Sequence, residues 1–223
     1  MRERRAFVVA VWLSCATAAV MAQAVAADPA RWEAAIAAFE AADRVSPPPR
    51  GGIVFTGSSS IRLWTTLATD FPGVPVINRG FGGSKVPEVT AFVRRIVTVH
   101  RPRLVVIYCG GNDVNAGRSA AEVVADTKAL VRAIHADLPS ARIAYISIAP
   151  NPARWAQVAT VREVNRAIAD WMAADARLVY VDVYRHMLGA DGLPKPDIFV
   201  DDRLHMNEKG YAIWRDVVRP ILK

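Results

Sequence analysis

The sequence predicts an α/β fold built on a parallel β-sheet, and two observations support this prediction. Five apolar segments of strand length, rich in Val and Ile, alternate along the chain with longer segments of helical periodicity. The strand segments are apolar at almost every position, which is typical of strands covered on both faces. Strands and helices that alternate in this way form parallel sheets with right-handed crossovers.

The predicted elements follow one another without an internal repeat or a second domain. Strands are predicted at residues 52–56, 74–78, 104–109, 142–148 and 178–183. Helices are predicted at residues 29–42, 61–69, 86–100, 119–138, 156–174 and 207–222, the last with Asn207 as its N-cap. The run Pro47-Pro48-Pro49 is a stiff connector. We therefore divide the chain into an N-terminal helix with its connector (28–50) and one domain (51–223).

The first residues have the pattern of a secretory signal peptide. Arg2, Arg4 and Arg5 precede an apolar run, and small residues follow before Asp28. The apolar run is shorter than the ~20 residues of a membrane-spanning helix. We predict a signal peptide at residues 1–27, a periplasmic or secreted protein, and no stable membrane span after cleavage. An uncleaved membrane anchor is the alternative.

Composition excludes some classes of partner and chemistry. The formal net charge is +7, but the basic residues are scattered and form no long run, so nucleic-acid binding is not predicted. Cys109 is the single cysteine outside the predicted signal peptide, which rules out a disulfide within residues 28–223. Because it lies in an apolar run, we interpret Cys109 as a buried small hydrophobic residue.

The first predicted strand is followed by Gly57 and the triplet Ser58-Ser59-Ser60. A serine at a strand-to-helix turn places its hydroxyl near free backbone N–H groups, which favour developing negative charge. In open parallel sheets, sites form beyond the carboxyl ends of the strands, where these serines lie. The alternative is that the serines only cap the following helix.

Two further strand ends carry candidate polar groups. The second strand leads into Gly80, Gly82 and Gly83, a segment that fits neither phosphate-binding glycine motif. A backbone N–H of this loop can instead stabilise an oxyanion. The third strand leads through Gly110-Gly111 to Asn112, whose amide can point into the same crevice. Ordinary turns are the alternative for both segments.

Asp202 and His205 lie within one short segment after the last predicted strand. An Asp three residues before a His can orient the imidazole, and a serine from another strand end completes a nucleophile, base and orienting acid. Of the other histidines, His100 and His135 lie at or within predicted helices, and His186 follows the fifth predicted strand among aromatic and apolar neighbours.

Together, the four segments resemble the four motif blocks of the SGNH hydrolase family, the GDSL-type esterases and lipases. The resemblance implies Ser59 as the nucleophile, Asp202 and His205 as the acid and base, and Ser59, Gly83 and Asn112 as the oxyanion-binding groups. It also implies a flavodoxin-like, three-layer α/β/α fold. Ser58 stands where the family has an Asp, and the triplet leaves Ser58 and Ser60 as alternative nucleophiles.

The resemblance implies a serine ester hydrolase that acts through an acyl-serine intermediate. The proposed triad requires no metal and no cofactor, and the sequence has no metal-ligand motif. The domain is small, with little room for a lid or a long acyl tunnel, so we expect short acyl groups, acetyl in particular, on a small-molecule or carbohydrate ester. Tyr108, Trp155 and Trp64 are candidates for a sugar platform or for the core. The alternatives are a lipase or lysophospholipase, and a non-catalytic carbohydrate-binding relative.

Overall fold

The computed structural model describes residues 28–223 and contains one five-stranded parallel sheet. The strands are β1 (Ile53–Gly57), β2 (Val76–Gly80), β3 (Leu104–Tyr108), β4 (Arg142–Ile146) and β5 (Leu178–Val181). Their order in the sheet is β2-β1-β3-β4-β5. This is the strand order of flavodoxin-like folds, and the predicted fold class is confirmed. The predicted signal peptide at residues 1–27 lies outside the described residues.

Eight α-helices are present in residues 28–223, joined by short 3₁₀ turns. The helices are α1 (Glu33–Val45), α2 (Ser59–Arg62), α3 (Leu67–Asp70), α4 (Val86–Ile96), α5 (Gly111–Asn115), α6 (Ala120–Asp137), α7 (Val158–Met172) and α8 (Glu208–Val218). A 3₁₀ turn, Pro29–Trp32, leads directly into α1. None of the helices within 28–223 is both long enough and apolar enough to cross a membrane.

The helices form two layers that bury opposite faces of the sheet. On one face, α1, α4, α6 and α7 pack over residues such as Val105 and Ile107 of β3. On the other face, α2, α3 and α8 pack over Leu104 and Val106 of the same strand. Because both faces are covered, β1 and β3 are apolar at nearly every position, as the sequence indicated.

The prediction of a single helix at residues 61–69 is wrong. The structure has two short helices there, α2 and α3, separated by a turn around Trp64. The Trp64 side chain is buried against Phe55 and Phe71, and its indole N–H donates to Asp70 Oδ2 at 2.6 Å. The Ile61 carbonyl accepts the Trp64 backbone N–H at 3.0 Å in a tight turn and also accepts the Asn78 side-chain amide at 2.5 Å. Burial of the indole and this side-chain cap end the helix early.

The register of the sheet aligns the carboxyl ends of β1, β2 and β3. Gly57 at the end of β1 pairs with Gly80 of β2 and with Tyr108 of β3. Gly57 has a φ of 131°, and a Cβ at this position would overlap the Tyr108 carbonyl oxygen. The residue must therefore be glycine, because a side chain fits neither the backbone conformation nor the space.

We expect Gly57→Ala to destabilise the protein by at least about 3 kcal/mol, since it combines a strained φ with a direct clash against backbone. Gly51→Ala is the matched control, because Gly51 also has a positive φ (76°) but has no atom within 4 Å of the place that a Cβ would occupy. The control should cost only about 1–2 kcal/mol. Urea denaturation of both variants measures the difference, and equal losses would contradict the steric explanation.

Candidate active site

The segment that carries Asp202 and His205 is a tight loop held by backbone hydrogen bonds. Phe199 and Met206 form an antiparallel bridge at its base, and the Val200 N–H donates to the His205 carbonyl at 2.9 Å. Arg203, at the turn, adopts a left-handed φ of 57°. This closed loop places the carboxylate and the imidazole on the same side, beyond the carboxyl ends of the strands.

The structure brings Ser59, His205 and Asp202 into one hydrogen-bonded chain. Ser59 Oγ lies 2.8 Å from His205 Nε2, and His205 Nδ1 lies 2.5 Å from Asp202 Oδ2. Of the three serines of the triplet, Ser59 alone contacts the imidazole in the described structure, and Ser58 and Ser60 are buried. A hydroxyl, an imidazole and a carboxylate linked in this order can move the hydroxyl proton onto the ring.

Asp202 is held in its ionised form. Its burial is slight and opposes ionisation, but the backbone N–H groups of His205 and Leu204 and the imidazole lower its pKa. The two backbone bonds, 2.8 Å and 2.9 Å long, both end on Asp202 Oδ1, and the second oxygen is left for the imidazole. The loop itself therefore prepares the carboxylate to orient His205.

Two N–H donors converge on the Ser58 hydroxyl oxygen. The Ser59 backbone N–H donates to Ser58 Oγ at 2.6 Å, and Asn112 Nδ2 donates to the same oxygen at 2.9 Å. Arg154 Nη1 donates to Asn112 Oδ1 at 3.0 Å, which determines the face that the amide turns toward Ser58. These contacts create a position where one oxygen atom accepts two hydrogen bonds next to Ser59.

The glycine loop after β2 is held by the N-terminal segment of the chain. Arg31 donates to the Gly83 carbonyl at 3.3 Å, and the Trp32 ring lies beside Gly83, 3.6 Å from where a Cβ would be. Gly83 has a φ of 78°, and its backbone N–H makes no hydrogen bond with any other residue of 28–223. The loop thus presents an unused donor beside the Ser59 region.

Two buried carboxylates hold the end of this loop. Glu88 accepts the Lys85 N–H at 2.7 Å and the Arg31 guanidinium at 3.1 Å. Burial of Glu88 opposes its ionisation, but these donors outweigh that effect and lower its pKa. Asp113, directly after Asn112, is fully buried and accepts the Val86 N–H at 3.1 Å. The strand ends of β2 and β3 are therefore coupled through side chains below the site.

Two cavities of very different size meet at Ser59 and His205. The large groove, of about 840 Å³, is lined by Trp32 and Phe39 of the N-terminal helical segment and by Ser59, Arg62 and Leu67 of the domain. The small cavity, of about 40 Å³, lies between Tyr108, Ile148 and Trp155. A substrate bound at Ser59 can therefore place a small group on one side and a bulky group on the other.

The structure also places the cysteine and the three aromatic residues that the sequence singled out. Cys109 is buried, as predicted, and burial raises the pKa of its thiol. Trp64 is fully buried in the core, although it borders the large groove, and Tyr108 packs on Trp214. Trp155 is half-buried beside the small cavity. Tyr108 and Trp155 both line the small cavity, whereas Trp64 borders the large groove, so the three rings do not form one shared platform.

Sequence reasoning missed three residues of the site, Arg154, Arg62 and Trp32. Arg154 follows β4 in the segment Asn151-Pro152-Ala153-Arg154, so the rule that pointed to the other strand ends also applies to it. Arg62 lies three residues after Ser59, which places both on one side of a helical turn. Trp32 gave no signal, because only the tertiary packing of α1 brings it to the glycine loop.

Comparison with known proteins identifies the family of this chain. The family model described as the GDSL-like lipase/acylhydrolase family matches residues 51–213. The chain belongs to this family. The family resemblance stated from the four motif segments is thereby confirmed, and this GDSL-like protein is a carboxylic ester hydrolase.

Individual relatives cover most of the chain. Platelet-activating factor acetylhydrolase IB subunit alpha1 from Homo sapiens is 28% identical over 173 residues, covering 72% of this chain and 70% of the relative. A Streptococcus pneumoniae protein described as a platelet activating factor superposes with a TM-score of 0.75 at 18% identity, over 86% of this chain and 92% of that one. A GDSL-like lipase from Bacteroides thetaiotaomicron superposes with a TM-score of 0.71 at 19% identity, over 84% of this chain and 96% of that one. At these identities the two structures show the shared fold.

Asp113 makes the stability of the GDSL-like protein depend on pH. Burial raises the pKa of Asp113 to about 6, above its ordinary value of 3.8. The folded state therefore binds more protons than the unfolded state between these two values, and stability falls as pH rises through this window. We expect the wild type to lose about 3 kcal/mol relative to Asp113→Asn between pH 3.5 and pH 7.

Urea denaturation of both proteins at the two pH values measures this difference. Asn is the matched replacement, because its carbonyl oxygen can still accept the Val86 N–H and it does not titrate. A difference in unfolding free energy that stays constant with pH would contradict the prediction.

Proposed function

We propose that this GDSL-like protein hydrolyses short-chain acyl esters, acetyl esters in particular, through an acyl-serine intermediate. The observation that carries the proposal is the chain of hydrogen bonds from Ser59 Oγ to His205 Nε2 (2.8 Å) and from His205 Nδ1 to Asp202 Oδ2 (2.5 Å). In this proposal Ser59 is the nucleophile, His205 the general base and Asp202 the orienting acid.

The reaction takes two acyl-transfer steps. Ser59 Oγ attacks the ester carbonyl carbon while His205 Nε2 takes the hydroxyl proton, and this proton then passes to the departing alcohol oxygen. The acyl group is left on Ser59. Water attacks the acyl-serine carbonyl carbon while His205 Nε2 takes a proton from it, and His205 then gives this proton to Ser59 Oγ as the bond to the acyl carbon breaks and the carboxylic acid leaves. Asp202 stabilises the imidazolium in both steps and is not itself protonated.

We assign oxyanion binding to the Ser59 and Gly83 backbone N–H groups and to the Asn112 amide. Two of these donors converge on Ser58 Oγ, at 2.6 Å and 2.9 Å. In our proposal the developing oxyanion takes over both donors as the Ser58 hydroxyl turns aside. The unused Gly83 N–H is the third donor. Such groups are worth several kcal/mol to the transition state because they are oriented before the reaction begins.

The size of the small cavity supports an acetyl group as the acyl portion. The small cavity, of about 40 Å³, is much smaller than the large groove of about 840 Å³, so it is the side of Ser59 that favours a short acyl portion such as acetyl. The alcohol portion then lies in the large groove. The acetyl specificity named for the human acetylhydrolase relative is consistent with this orientation.

The large groove also favours a second candidate, a lipase-type acyl hydrolase. Its walls carry the apolar side chains of Phe39, Leu67, Val76 and Phe81, which could hold a long acyl chain. The two candidates differ in which side of Ser59 receives the acyl group, and chain-length selectivity separates them.

We expect Ser59→Ala to reduce kcat on p-nitrophenyl acetate by at least about 10⁴-fold, because it removes the nucleophile. Labelling by a fluorophosphonate should disappear in the same variant. Steady-state kinetics and gel detection of the labelled protein provide the two measurements.

Ser60→Ala is the matched control within the triplet, since the Ser60 side chain is buried and makes no contact with His205. It should keep both labelling and most of the turnover. If labelling persisted in Ser59→Ala and vanished in Ser60→Ala, the assignment of the nucleophile would be wrong. If the wild type were neither labelled nor active, the protein would be a non-catalytic relative.

We expect kcat/KM to fall steeply from p-nitrophenyl acetate to butyrate and octanoate, because the longer chains exceed the small cavity. Trp155→Ala should relax this preference toward butyrate, since it removes one wall of that cavity. Leu67→Ala, on the wall of the large groove, is the control and should leave the acyl preference unchanged. A wild-type preference for octanoate would favour the lipase-type candidate.

A further inference from the structure

The charges around the large groove are of one sign. Two arginines, Arg62 and Arg154, border the groove, and within residues 28–223 its lining contains no Asp or Glu. Neither arginine forms an ion pair in the described part of the chain. This contrasts with Arg31, Arg79 and Arg95 near α1, which are all paired with carboxylates.

The two arginines differ in the hydrogen bonds that their guanidinium groups make. Arg154 is partly buried, and its Nη1 already donates to the Gly111 carbonyl at 3.2 Å and to Asn112 Oδ1 at 3.0 Å. Arg62 is exposed, and its guanidinium makes no hydrogen bond or ion pair with another residue of 28–223. Its five N–H donors are therefore available to a ligand, whereas Arg154 serves to position Asn112.

The position of Arg62 brings its side chain close to the reacting serine. Ser59 and Arg62 are the first and last residues of α2, so they lie on one side of the same helical turn. The Arg62 side chain extends along Gly82, where a Cβ would be only 2.7 Å from Arg62 Nε. The absence of a side chain at Gly82 leaves room for the guanidinium beside the glycine loop.

The walls around Arg62 are apolar. Trp32 and Phe39 line the groove from the N-terminal helical segment, and Leu67 and Phe81 line it from the domain. A group that fills this space must offer apolar surface to these side chains and acceptor oxygens to one guanidinium. A neutral, fully polar alcohol satisfies neither requirement.

We propose that the large groove binds the alcohol portion of an ester that carries an anionic group, and that Arg62 binds this anion. The substrate class is an acetyl ester of an apolar alcohol bearing a carboxylate, phosphate or sulfate close to the ester bond. Such planar or multidentate anions are well matched by the donor geometry of a guanidinium. This inference rests on the proposed function, because it assigns the acyl group to the small cavity.

The test compares charged and neutral substrates of the same shape. The probes are 3- and 4-acetoxybenzoate, each paired with its methyl ester, and the readout is the ratio of kcat/KM within each pair. Changes in this ratio between enzyme variants are independent of the intrinsic reactivity of the two esters. We expect Arg62→Gln to lower the charged-to-neutral ratio roughly tenfold or more in at least one pair, the range for hydrogen bonds to charged groups.

The neutral methyl ester is an internal control, because its Ser59-dependent hydrolysis shows that a variant is folded. Arg62→Lys keeps the charge but not the planar donor array, so it should restore part of the ratio. Arg132→Gln removes the same charge from an exposed position on α6 and should leave the ratio unchanged. High salt should lower the wild-type preference, since the pair is partly exposed to solvent.

The outcomes distinguish a failure of the anion site from a failure of the proposed function. If the wild type hydrolyses both esters through Ser59 but the ratio is the same in Arg62→Gln, the anion site is wrong and the proposed function stands. The same conclusion follows if Arg132→Gln lowers the ratio as much, because the effect is then general electrostatics. If no acetyl ester is hydrolysed in a Ser59-dependent way, the proposed function itself fails.

Discussion

The candidate site depends on the parallel register in which Gly57 pairs with both Gly80 and Tyr108. Because three neighbouring strands end at one level, the serine turn, the glycine loop and the Asn112 turn leave the sheet side by side. Because Gly57 has no Cβ, its backbone can approach the Tyr108 carbonyl, and β1 and β3 stay paired at this level. A shift of one residue along either strand would turn the segments that follow toward opposite faces of the sheet.

The polar groups around Ser59 are held in place by one another. The Asn112 amide is held from both ends, by Arg154 at its oxygen and by Ser58 and the Ser84 carbonyl at its nitrogen. Asp113 and Glu88 support the same region from below. Donors that are already oriented need not reorganise as charge develops, which is the main source of electrostatic stabilisation in enzymes. The rigidity of the site therefore comes from side chains that do not themselves contact the serine.

Strand and helix positions were predictable because continuous apolar runs and helical periodicity are local signals. The fold class and the strand-end location of Ser59, Gly83 and Asn112 follow from those signals with the rule on parallel sheets. The break between α2 and α3 was not predictable, because it depends on Asn78 from a different strand capping Ile61. The role of Trp32 against Gly83 is equally non-local. The signal peptide at residues 1–27 and the exported location that it implies stay predictions.

The N-terminal helix α1 lies outside the region matched by the family model, yet it forms one wall of the large groove. Ion pairs attach it to the domain, among them Arg79 with Asp43 and Arg95 with Glu33 and Glu40. Part of the groove wall therefore comes from a segment outside the matched region. Substitutions on the inner side of α1, at Ala38 or Phe39, would reshape that wall. The helix is thus a segment through which evolution or an engineer can alter the groove while Ser59, His205 and Asp202 stay unchanged in the sequence.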